Sequence, residues 1–430
     1  MEKRKRNSDQ NIIVGLDVGT TKICAIMGEV NENGVTVLAA SSHPSNGLRK
    51  GVVIDIEATA NSIKKAVAEL EEKTGAGVRE VYVGIAGSHI KSFNSYGAIG
   101  IKGKEVTHED VERAIDSASA VYVPLDREIL HVLPTDFILD GQDGIKDPVG
   151  MAGVRLEVNV YIVTGAVTSV QNLLKCCERA ELDVIDIVLQ PLASAEATLN
   201  SYERDMGVAL VDIGGGTTDI ALYKDEWLRH TAVLGIGGNH FTNDISVGLR
   251  LPFPEAERIK KKYGSVDFPA RSAENNDTGD VDVVAIDGQV RTIPAKYISE
   301  ILQPRSEELL ILIKQEMQAF QDSGIAVSGV ILTGGSSLLS GFDRMAEAVL
   351  SMPVRIGYPI RASSREGAGH EEGTPVIRGL NEEFNSPVYA TGLGLVLYGA
   401  SGLMPAERSF NVFNRIVAKM AGWFKAIIKK

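Results

Sequence analysis

The chain contains few cysteines and no long apolar segment. Its 430 residues include three cysteines, Cys24, Cys176 and Cys177, which form neither a spaced disulfide framework nor a paired zinc-ligand pattern. No apolar run reaches the length of about eighteen residues that a membrane-spanning helix needs, and the basic first residues are not followed by the apolar stretch of a signal peptide. We therefore expect a protein of a reducing cytosol that neither spans a membrane nor is secreted.

An excess of positive charge is also missing. The formal net charge is −12 at pH 7, which argues against general nucleic-acid binding because phosphate neutralisation needs a basic surface. The C-terminal segment is an exception, since no acidic residue follows Glu407 and the charged residues from Phe410 onward are all basic. This segment is expected to have a function of its own.

The most informative pattern is an internal repeat. The segment Val14-Gly-Leu-Asp-Val-Gly-Thr-Thr-Lys-Ile23 recurs as Val211-Asp-Ile-Gly-Gly-Gly-Thr-Thr-Asp-Ile220. Both are apolar strands that enter a glycine turn and continue into a second apolar run, which is typical of hairpins. A second pair, Val81 to Gly87 and Val330 to Gly335, repeats a short buried strand followed by small residues. The sequence therefore predicts two related α/β halves.

Helical periodicity and composition divide the chain further. Apolar residues recur at helical spacing from Asp55 to Thr74, with Gly75 as a stop, and after a capping box that starts at Thr107. A third helix is predicted from Thr168 to Ala180. The predicted division is 11–87 and 162–206 for the first half, 88–161 for an inserted α+β subdomain, 207–240 and 324–400 for the second half, 241–323 for its small subdomain, 401–411 for a linker and 412–430 for an amphipathic helix.

The two glycine turns carry the residues of a phosphate site. Backbone N–H groups in tight glycine turns and threonine hydroxyls bind phosphate, and Asp17 and Asp212, at the ends of the preceding strands, suit a magnesium ion held through water. Either motif alone is also the pattern of an ordinary hairpin. The pair, together with a third glycine turn from Leu332 to Gly341 whose bare backbone could accommodate adenosine, favours a nucleotide site.

These three motifs resemble the two phosphate motifs and the adenosine motif of the actin, sugar-kinase and heat-shock chaperone superfamily. Within it, the chain resembles the FtsA family of bacterial cell division proteins over almost its whole length, through further motifs at Val188 to Ala195, Leu234 to His240 and Pro387 to Gly392. The resemblance implies an actin-like (ribonuclease-H-like) duplicated fold of two α/β halves around a nucleotide cleft, with a family-specific inserted subdomain and a C-terminal amphipathic helix.

The resemblance implies ATP and magnesium as cofactors. Asp17 and Asp212 would hold magnesium through water, and Gln190 would position the attacking water, although a Gln before Pro at a strand end also has a purely structural interpretation. At most a weak ATPase activity is expected. The implied ATP contacts are Gly19, Thr20, Thr21, Lys22, Asp17, Asp212, Gly214, Gly215, Gly216, Thr217, Thr218, Gly237, Gly238, Asn239, Glu257, Lys260, Lys261, Gly334, Gly335 and Ser336.

The resemblance also implies partners and a location. ATP would close the cleft and favour head-to-tail filaments, and the small subdomain would bind the C-terminal peptide of FtsZ. Arg291 and Arg305 are the candidates for its carboxylates, because guanidinium groups pair with carboxylates in bidentate fashion; two solvated arginines are the alternative. The filament would link FtsZ to the cytoplasmic face of the inner membrane at the division septum and help to recruit later divisome proteins.

The segment 412–430 has the pattern of a membrane-binding amphipathic helix. Its apolar residues recur at helical spacing, its basic residues lie on the other side, and Trp423 suits the headgroup region of anionic lipids. A helix packed on the protein's own core is the alternative. The predicted apolar contacts are Phe413, Ile416, Val417, Met420, Trp423, Phe424, Ile427 and Ile428, and the predicted basic contacts are Arg415, Lys419 and Lys425.

Two other classes of protein share parts of this pattern. A sugar kinase needs an Asp base beside an acceptor pocket, and no such motif is apparent. The pilus-assembly relatives resemble the FtsA family in the inserted subdomain but lack this kind of amphipathic end. The nucleotide motifs, the insertion and the tail together favour a membrane-bound filament and adaptor protein.

Overall fold

Two β-sheets with the same internal strand order lie at the centre of the fold. The computed structural model describes residues 11–31, 34–267, 279–321, 324–360 and 377–401. The strands are β1 (Ile12–Val18), β2 (Lys22–Asn31), β3 (Gly34–Pro44), β4 (Leu48–Arg49), β5 (Val52–Val53), β6 (Glu80–Ile85), β7 (Lys91–Gly100), β8 (Arg127–Leu139), β9 (Gln142–Ile145), β10 (Arg155–Ala166), β11 (Asp183–Leu189), β12 (Val208–Ile213), β13 (Thr218–Lys224), β14 (Trp227–Leu234), β15 (Asp280–Val284), β16 (Val290–Pro294), β17 (Val330–Thr333), β18 (Val354–Ile356) and β19 (Ile377–Arg378).

Helices cover and connect these sheets. The α-helices are α1 (Ile56–Thr74), α2 (His108–Ser119), α3 (Val167–Arg179), α4 (Gln190–Thr198), α5 (Ser201–Met206), α6 (Gly238–Leu249), α7 (Phe253–Tyr263), α8 (Ala295–Gln321), α9 (Phe342–Leu350) and α10 (Ala390–Ser401). Short 3-10 helices occupy Gly335–Leu338 and Pro387–Tyr389. No helix in the described part of the chain is long and apolar enough to cross a membrane. The predicted linker and C-terminal amphipathic helix lie outside the described residues, apart from Ser401 at the end of α10.

The duplication predicted from the sequence is confirmed by the sheets. The first has the order β11-β6-β1-β2-β3-β19 and the second the order β14-β13-β12-β17-β18. In each, three antiparallel strands, β1-β2-β3 or β12-β13-β14, are followed by two strands that run parallel to the first of them. Each half therefore presents one glycine hairpin turn, after β1 or β12, at the same edge of its sheet.

Strand pairing corrects the register of the sequence repeat. Aligning Val14 with Val211 would place Gly15 opposite Asp212. In the structure Asp17 pairs with Cys24 across β1 and β2, and Asp212 pairs with Asp219 across β12 and β13. Asp17 and Asp212 are therefore structurally equivalent, and the two Thr-Thr pairs that dominate the sequence match are not. The two turns have the same length, and each closes with the same internal hydrogen bond. The Gly19 N–H donates to the Lys22 carbonyl oxygen and the Gly214 N–H to the Thr217 carbonyl oxygen, each at 3.0 Å. These matching bonds fix which residues of the two turns are equivalent.

Two helices pass between the halves. α4 follows the last parallel strand of the first sheet, and α10 packs on both α4 and β1. The two helix backbones approach so closely that a Cβ on Gly394 would lie 1.7 Å from the Ala193 carbonyl oxygen. Only glycine fits at this position, and the close crossing brings side chains of both helices to the ends of β1 and β12.

A separate sheet with the order β7-β10-β8-β9 lies within the segment expected to be an insertion. α2 packs on it and begins with the predicted capping box between Thr107 and Asp110. α1 also begins and ends as predicted, with Asp55 as N-cap and Gly75 in the left-handed conformation at φ 68°. α3 begins one residue earlier than predicted and has no side-chain cap, because it follows β10 directly at Ala166. The predicted domain boundaries themselves stay a prediction.

The segment predicted to be the small subdomain of the second half contains α6, α7, α8 and the hairpin β15–β16. Apolar residues of these elements pack together with the second sheet and α9 in one cluster. Residues 268–278, which precede the β15–β16 hairpin, lie outside the described residues.

Candidate nucleotide-binding site

Asp17 lies one residue before the end of β1, at the base of the first glycine turn. It is buried, and its Oδ1 accepts a hydrogen bond from Gln190 Nε2 at 2.9 Å. The Lys22 ammonium is 3.8 Å from Asp17 Oδ2. Burial raises the pKa of Asp17, Lys22 opposes this increase, and the charge of Asp212 adds to it. The sequence-predicted residues Asp17, Lys22 and Gln190 are thus brought together.

Asp212 is held by two hydroxyl groups that the sequence analysis did not identify. Ser194 Oγ donates to Asp212 Oδ2 at 2.8 Å, and Thr391 Oγ1 donates to the same oxygen at 3.2 Å. Burial raises the pKa of Asp212, and the two hydroxyl groups lower it. Ser194 could have been found from the sequence, because it lies four residues after Gln190 and therefore on the same helix face. Thr391 on α10 lies within the motif from Pro387 to Gly392, but no spacing along the chain relates it to Asp212.

Lys22 joins the first turn to the segment before α10. Its ammonium group donates a hydrogen bond to the Val388 carbonyl oxygen and lies 5.2 Å from the centroid of the Tyr389 ring. Because an ammonium group over an aromatic face is stabilised electrostatically, this side chain has a fixed position beside Asp17. A lysine at this place offers a positive charge to a phosphate that approaches the first turn.

The two glycine turns are in direct contact. A Cβ on Gly215 would lie 2.2 Å from Thr21 Cγ2, and a Cβ on Gly216 would lie 2.7 Å from Thr20 Oγ1. The second turn therefore needs glycine at both positions to approach the threonines of the first. The structure thus shows the two halves in a closed arrangement, with the predicted phosphate contacts of both turns side by side.

The threonine hydroxyls in the turns have different roles. Thr20 Oγ1 accepts the Gly51 N–H at 3.0 Å, and Thr217 Oγ1 donates to Asp219 Oδ2 at 3.1 Å. Thr218 is completely buried, and its hydroxyl donates to the Ile236 carbonyl oxygen at 2.8 Å. In this structure Thr218 supports the loop after β14 from inside, instead of facing the cleft as the sequence analysis expected.

The loop from Gly235 to Asn239 is bonded to the second turn. The Gly238 N–H donates to the Gly214 carbonyl oxygen, and the Asn239 N–H donates to the Gly215 carbonyl oxygen, both at 2.8 Å. A Cβ on Gly237 would lie 2.7 Å from that Gly214 oxygen. The second turn and the start of α6 therefore form one backbone unit, as expected if both contact the same ligand.

The charged helix α7 contributes to this unit. Lys260 Nζ donates to the Gly238 carbonyl oxygen at 2.9 Å and to Thr242 Oγ1 at 2.8 Å, and it pairs with Glu257 at 2.7 Å. Burial lowers the pKa of Lys260. Lys261 pairs with Glu257 at 3.2 Å but its side chain is largely exposed. Glu257 and Lys260 therefore lie against the start of α6, whereas Lys261 is largely exposed, and their contact with a nucleotide stays a prediction.

The third glycine turn meets the second at Asp212. Gly334 has φ 82°, and a Cβ there would lie 2.4 Å from Asp212 Oδ1. Ser336 Oγ donates to the Gly214 carbonyl oxygen at 3.4 Å, while Gly335 faces Val388. The implied adenosine motif is thus adjacent to the implied phosphate motif, as one nucleotide requires.

A third carboxyl group, Asp219, lies beside these residues and was not assigned by the sequence analysis. It occupies the position opposite Asp212, where the first half has Cys24. Its Oδ1 is buried without a hydrogen-bond partner among the described residues. Burial, together with the charge of Asp212, raises its pKa to about 8. Asp219 belongs to the quoted motif, but only the strand pairing shows that it faces the cleft region.

The charge at the site fits a magnesium ion held through water. Asp17, Asp212 and Asp219 are buried, and burial raises the pKa of each. A cation beside such carboxyl groups offsets the cost of burying their charge. No group of three or more His, Cys, Asp or Glu side chains in the described ranges is arranged to hold a metal ion directly. Buried carboxyl groups of this kind suit contact with the water shell of a cation.

The two arginines expected to contact FtsZ lie away from this site. Arg291 pairs with Asp287 on the exposed β15–β16 hairpin. Arg305, on α8, pairs with Asp244 through Nε at 2.7 Å and Nη2 at 3.2 Å, and also contacts Glu308. Both guanidinium groups already have carboxylate partners. A peptide carboxylate would have to compete with these pairs.

Comparison with known proteins identifies relatives of the whole chain. The family model described as cell division protein FtsA matches residues 209–394, and the model for the SHS2 domain inserted in FtsA matches residues 87–164. The chain is 42% identical, over 389 residues, to the cell division protein FtsA of Pseudomonas aeruginosa, which covers 90% of this chain and 89% of that protein.

Solved structures share the fold. The PilM-PilN type IV pilus biogenesis complex superposes with a TM-score of 0.63 at 18% identity, covering 90% of this chain and 98% of that chain. MreB5 of Spiroplasma citri bound to ADP superposes with a TM-score of 0.51 at 16% identity, covering 81% of this chain and 92% of that chain. At these identities the likeness concerns the fold, and it confirms the actin-like architecture. The much higher identity to FtsA over nine tenths of the chain distinguishes among proteins that share this fold.

Proposed function

This chain belongs to the FtsA family of cell division proteins, and we propose that it binds magnesium-ATP, polymerises, and anchors FtsZ to the cytoplasmic face of the inner membrane at the septum. Membership of the family supports a role in cell division. The observation that supports the nucleotide part is the equivalence of Asp17 and Asp212 at the ends of two facing glycine turns. The MreB5 structure bound to ADP has the same fold.

At the nucleotide site, each group of residues has a separate task. The backbone of the two turns and the Lys22 ammonium bind phosphate, while Asp17 and Asp212 orient the water shell of magnesium, which supplies charge neutralisation when bound. Gln190 positions a water molecule near the phosphates, because its side chain is fixed by Asp17 at 2.9 Å. The nucleoside lies against the third turn and the Glu257 and Lys260 side of α7. Any hydrolysis is slow, since water positioning replaces a strong base.

The FtsZ peptide binds on the small subdomain. A cavity of about 550 Å³ lies between α8 and α9, lined by side chains of both signs. Ser299 on its wall is 4% exposed, and its hydroxyl is without a hydrogen-bond partner in the described residues. A buried hydroxyl beside apolar Met345 suits a segment with both polar and apolar groups, as a peptide has. Arg291 and Arg305 are not among the residues that line this cavity, and they supply charge contacts to parts of the peptide that extend beyond it.

The C-terminal segment 412–430 binds anionic lipid. Its apolar and basic residues alternate at helical spacing, and no acidic residue occurs in it. A single helix of this length binds modestly, but a filament carries many copies, so its overall affinity for the membrane is multiplied by avidity. Later divisome proteins then assemble on the membrane-bound filament.

Co-sedimentation tests the whole proposal. The full chain is mixed with vesicles of phosphatidylglycerol and phosphatidylethanolamine, with ATP or without nucleotide, and with FtsZ or with FtsZ that lacks its C-terminal peptide. We expect the chain to pellet with the vesicles, and a larger fraction of it to pellet when ATP is present. Intact FtsZ should pellet with it, whereas FtsZ that lacks its C-terminal peptide should not. Equal recruitment of FtsZ without its peptide would contradict the adaptor function.

A further inference from the structure

The inserted subdomain is firmly attached to the first half. Arg127, at the start of β8, donates from Nη2 to the carbonyl oxygens of His89 and Thr164 at 2.9 and 2.7 Å, which joins both chain connections of the insertion. His131 Nε2, on the same strand, accepts the Leu189 N–H at 3.0 Å. Leu189 directly precedes Gln190. These bonds hold the insertion rigidly against the first half, next to Gln190.

The same subdomain also contacts Thr231 of the second half, mainly through the buried Tyr161 hydroxyl group and also through Ser92 Oγ, which lies 3.3 Å from Thr231 Oγ1. Tyr161 on β10 is 2% exposed, and its hydroxyl accepts the Thr231 N–H at 2.6 Å and lies 3.0 Å from Thr231 Oγ1. Ser92 also contacts the Tyr161 hydroxyl. Thr231 belongs to β14, the edge strand of the second sheet. Without this bond its N–H would face the interface unpaired, and an unpaired buried donor is costly.

Ion pairs flank this contact. Lys146 of the insertion lies 3.4 Å from Glu226 of the second half, and 3.2 Å from Asp205, which directly precedes the second half in α5. The Lys146 and Asp205 side chains are about half exposed and that of Glu226 about a third, so the pairs are weak and sensitive to salt. The Tyr161–Thr231 contact is therefore the specific part of the interface, and the ion pairs reinforce it.

β14 connects this contact to the nucleotide site. Thr231 pairs with Ala221 of β13, a strand that begins at the second glycine turn. β14 itself ends at Leu234 and continues into the Gly235 to Asn239 loop, whose amides bond to that turn. If the second glycine turn moves away from the first, β14 moves with it, and Thr231 therefore moves away from Tyr161.

We propose that the Tyr161–Thr231 contact couples the inserted subdomain to the nucleotide state, by stabilising the closed cleft and slowing nucleotide release. This inference rests on the proposed function, since it concerns the nucleotide site described above. The insertion stays with the first half, so separation of the glycine turns breaks the contact. Conversely, a partner that displaces the insertion from β14 weakens nucleotide binding, because coupling between two binding sites is reciprocal.

The test compares Tyr161→Phe with wild-type protein and with Tyr96→Phe. Tyr96 lies in the same sheet, and its hydroxyl contacts only Glu157 and Arg155 among the described partners, both within the insertion. Release of a fluorescent N-methylanthraniloyl-ATP with magnesium is followed after mixing with excess ATP, using the full chain without lipid. We expect release about fivefold to tenfold faster in Tyr161→Phe, the factor that loss of one such hydrogen bond gives. Tyr96→Phe should match wild type.

Two further measurements separate the possible outcomes. Hydrogen exchange in the peptide that contains Thr231 should be faster in Tyr161→Phe than in wild type, and Lys146→Glu, which places a carboxylate against Asp205 and Glu226, should also speed release. If wild-type protein does not bind the nucleotide, the proposed function itself fails and the coupling fails with it. If wild type binds and both variants release nucleotide at its rate, the coupling alone is wrong.

Discussion

Asp17 and Asp212 occupy equivalent positions in the two halves and are held by side chains of one helix. Gln190 and Ser194, one turn apart on α4, donate to Asp17 at 2.9 Å and to Asp212 at 2.8 Å, respectively. α4 follows the first sheet in the chain, yet it contacts the site residues of both. α4 therefore helps to fix the spacing of the two carboxyl groups, together with Thr391 of α10, which also donates to Asp212. This arrangement suits the positioning of one hydrated ion between them.

Asp212→Asn should weaken magnesium-ATP binding by about tenfold or more, because it removes a charge next to the ion while the amide oxygen can still accept from Ser194 and Thr391. Titration calorimetry with magnesium-ATP measures the dissociation constant. Asp183→Asn, at an exposed ion pair with Arg79 at the far end of β11, is the matched control. Equal affinity of Asp212→Asn and wild type would refute the assignment of this residue.

Gln190→Ala should leave the affinity for magnesium-ATP nearly unchanged and slow any hydrolysis by about tenfold or more, because only the positioning of water is lost. Single-turnover release of phosphate measures this rate. Ser194→Ala provides a contrast, since it acts on Asp212 and should weaken binding instead. A loss of ATP affinity in Gln190→Ala would show that the residue supports the site and does not serve hydrolysis alone.

Arg305→Ala and Arg291→Ala should each weaken binding of the FtsZ C-terminal peptide by about tenfold, which is within the range for loss of a charged interface contact. Alanine is preferable to glutamate at 305, where a third carboxylate would lie against Asp244 and Glu308. Fluorescence anisotropy of a labelled peptide gives the dissociation constant. Arg258→Ala, which removes a guanidinium group paired with Glu255 in the same subdomain, should have no effect. An unchanged constant in both test variants would exclude these arginines from the contact.

Trp423→Glu should release the protein from anionic vesicles, whereas Trp423→Phe, which keeps an apolar ring, should retain most binding. A fully buried large apolar side chain contributes roughly 1.5–3 kcal/mol, and each basic residue near the surface about 1 kcal/mol. Both contributions are therefore needed. Vesicle flotation measures the bound fraction at low and high salt, and high salt should weaken binding only in part. Flotation of a protein that ends at residue 411 would show that another segment binds the membrane.

The unfolding free energy should decrease as the pH falls from 6.5 towards 4, in part through His131. Burial lowers the pKa of His131 from 6.5 to about 4, so the unfolded chain binds more protons in this range and acid favours it. The contribution of His131 to the unfolding free energy is fully present above pH 6.5, and at most about 3 kcal/mol of it is lost below pH 4. Urea unfolding of His131→Gln, which retains an acceptor for the Leu189 N–H, should show a shallower pH dependence than wild type. Equal slopes would contradict this.

Local pattern determined much of the fold and the site before any tertiary information. Apolar strands that enter glycine turns specified both hairpins, and side-chain caps at Asp55 and Thr107 specified where two helices begin. These features are local, because a turn or a cap depends on a few consecutive residues. The motifs around Asp17, Asp212 and Gly334 could therefore be recognised, and the structure brings them together.

Other features were decided only by contacts between distant segments. The true equivalence of the two turns follows from strand pairing, which places Asp219 opposite Asp212 and Lys22 where the second half has Thr217. Thr391 donates to Asp212 although it lies 179 residues further along the chain. Tyr161 of the inserted subdomain accepts a hydrogen bond from Thr231 of the second half. No periodicity encodes such pairs, because they depend on how helices and sheets pack and not on the spacing of residues along the chain. The sequence thus determined the elements and the motifs, whereas tertiary packing decided which side chains complete the site and how the insertion contacts it.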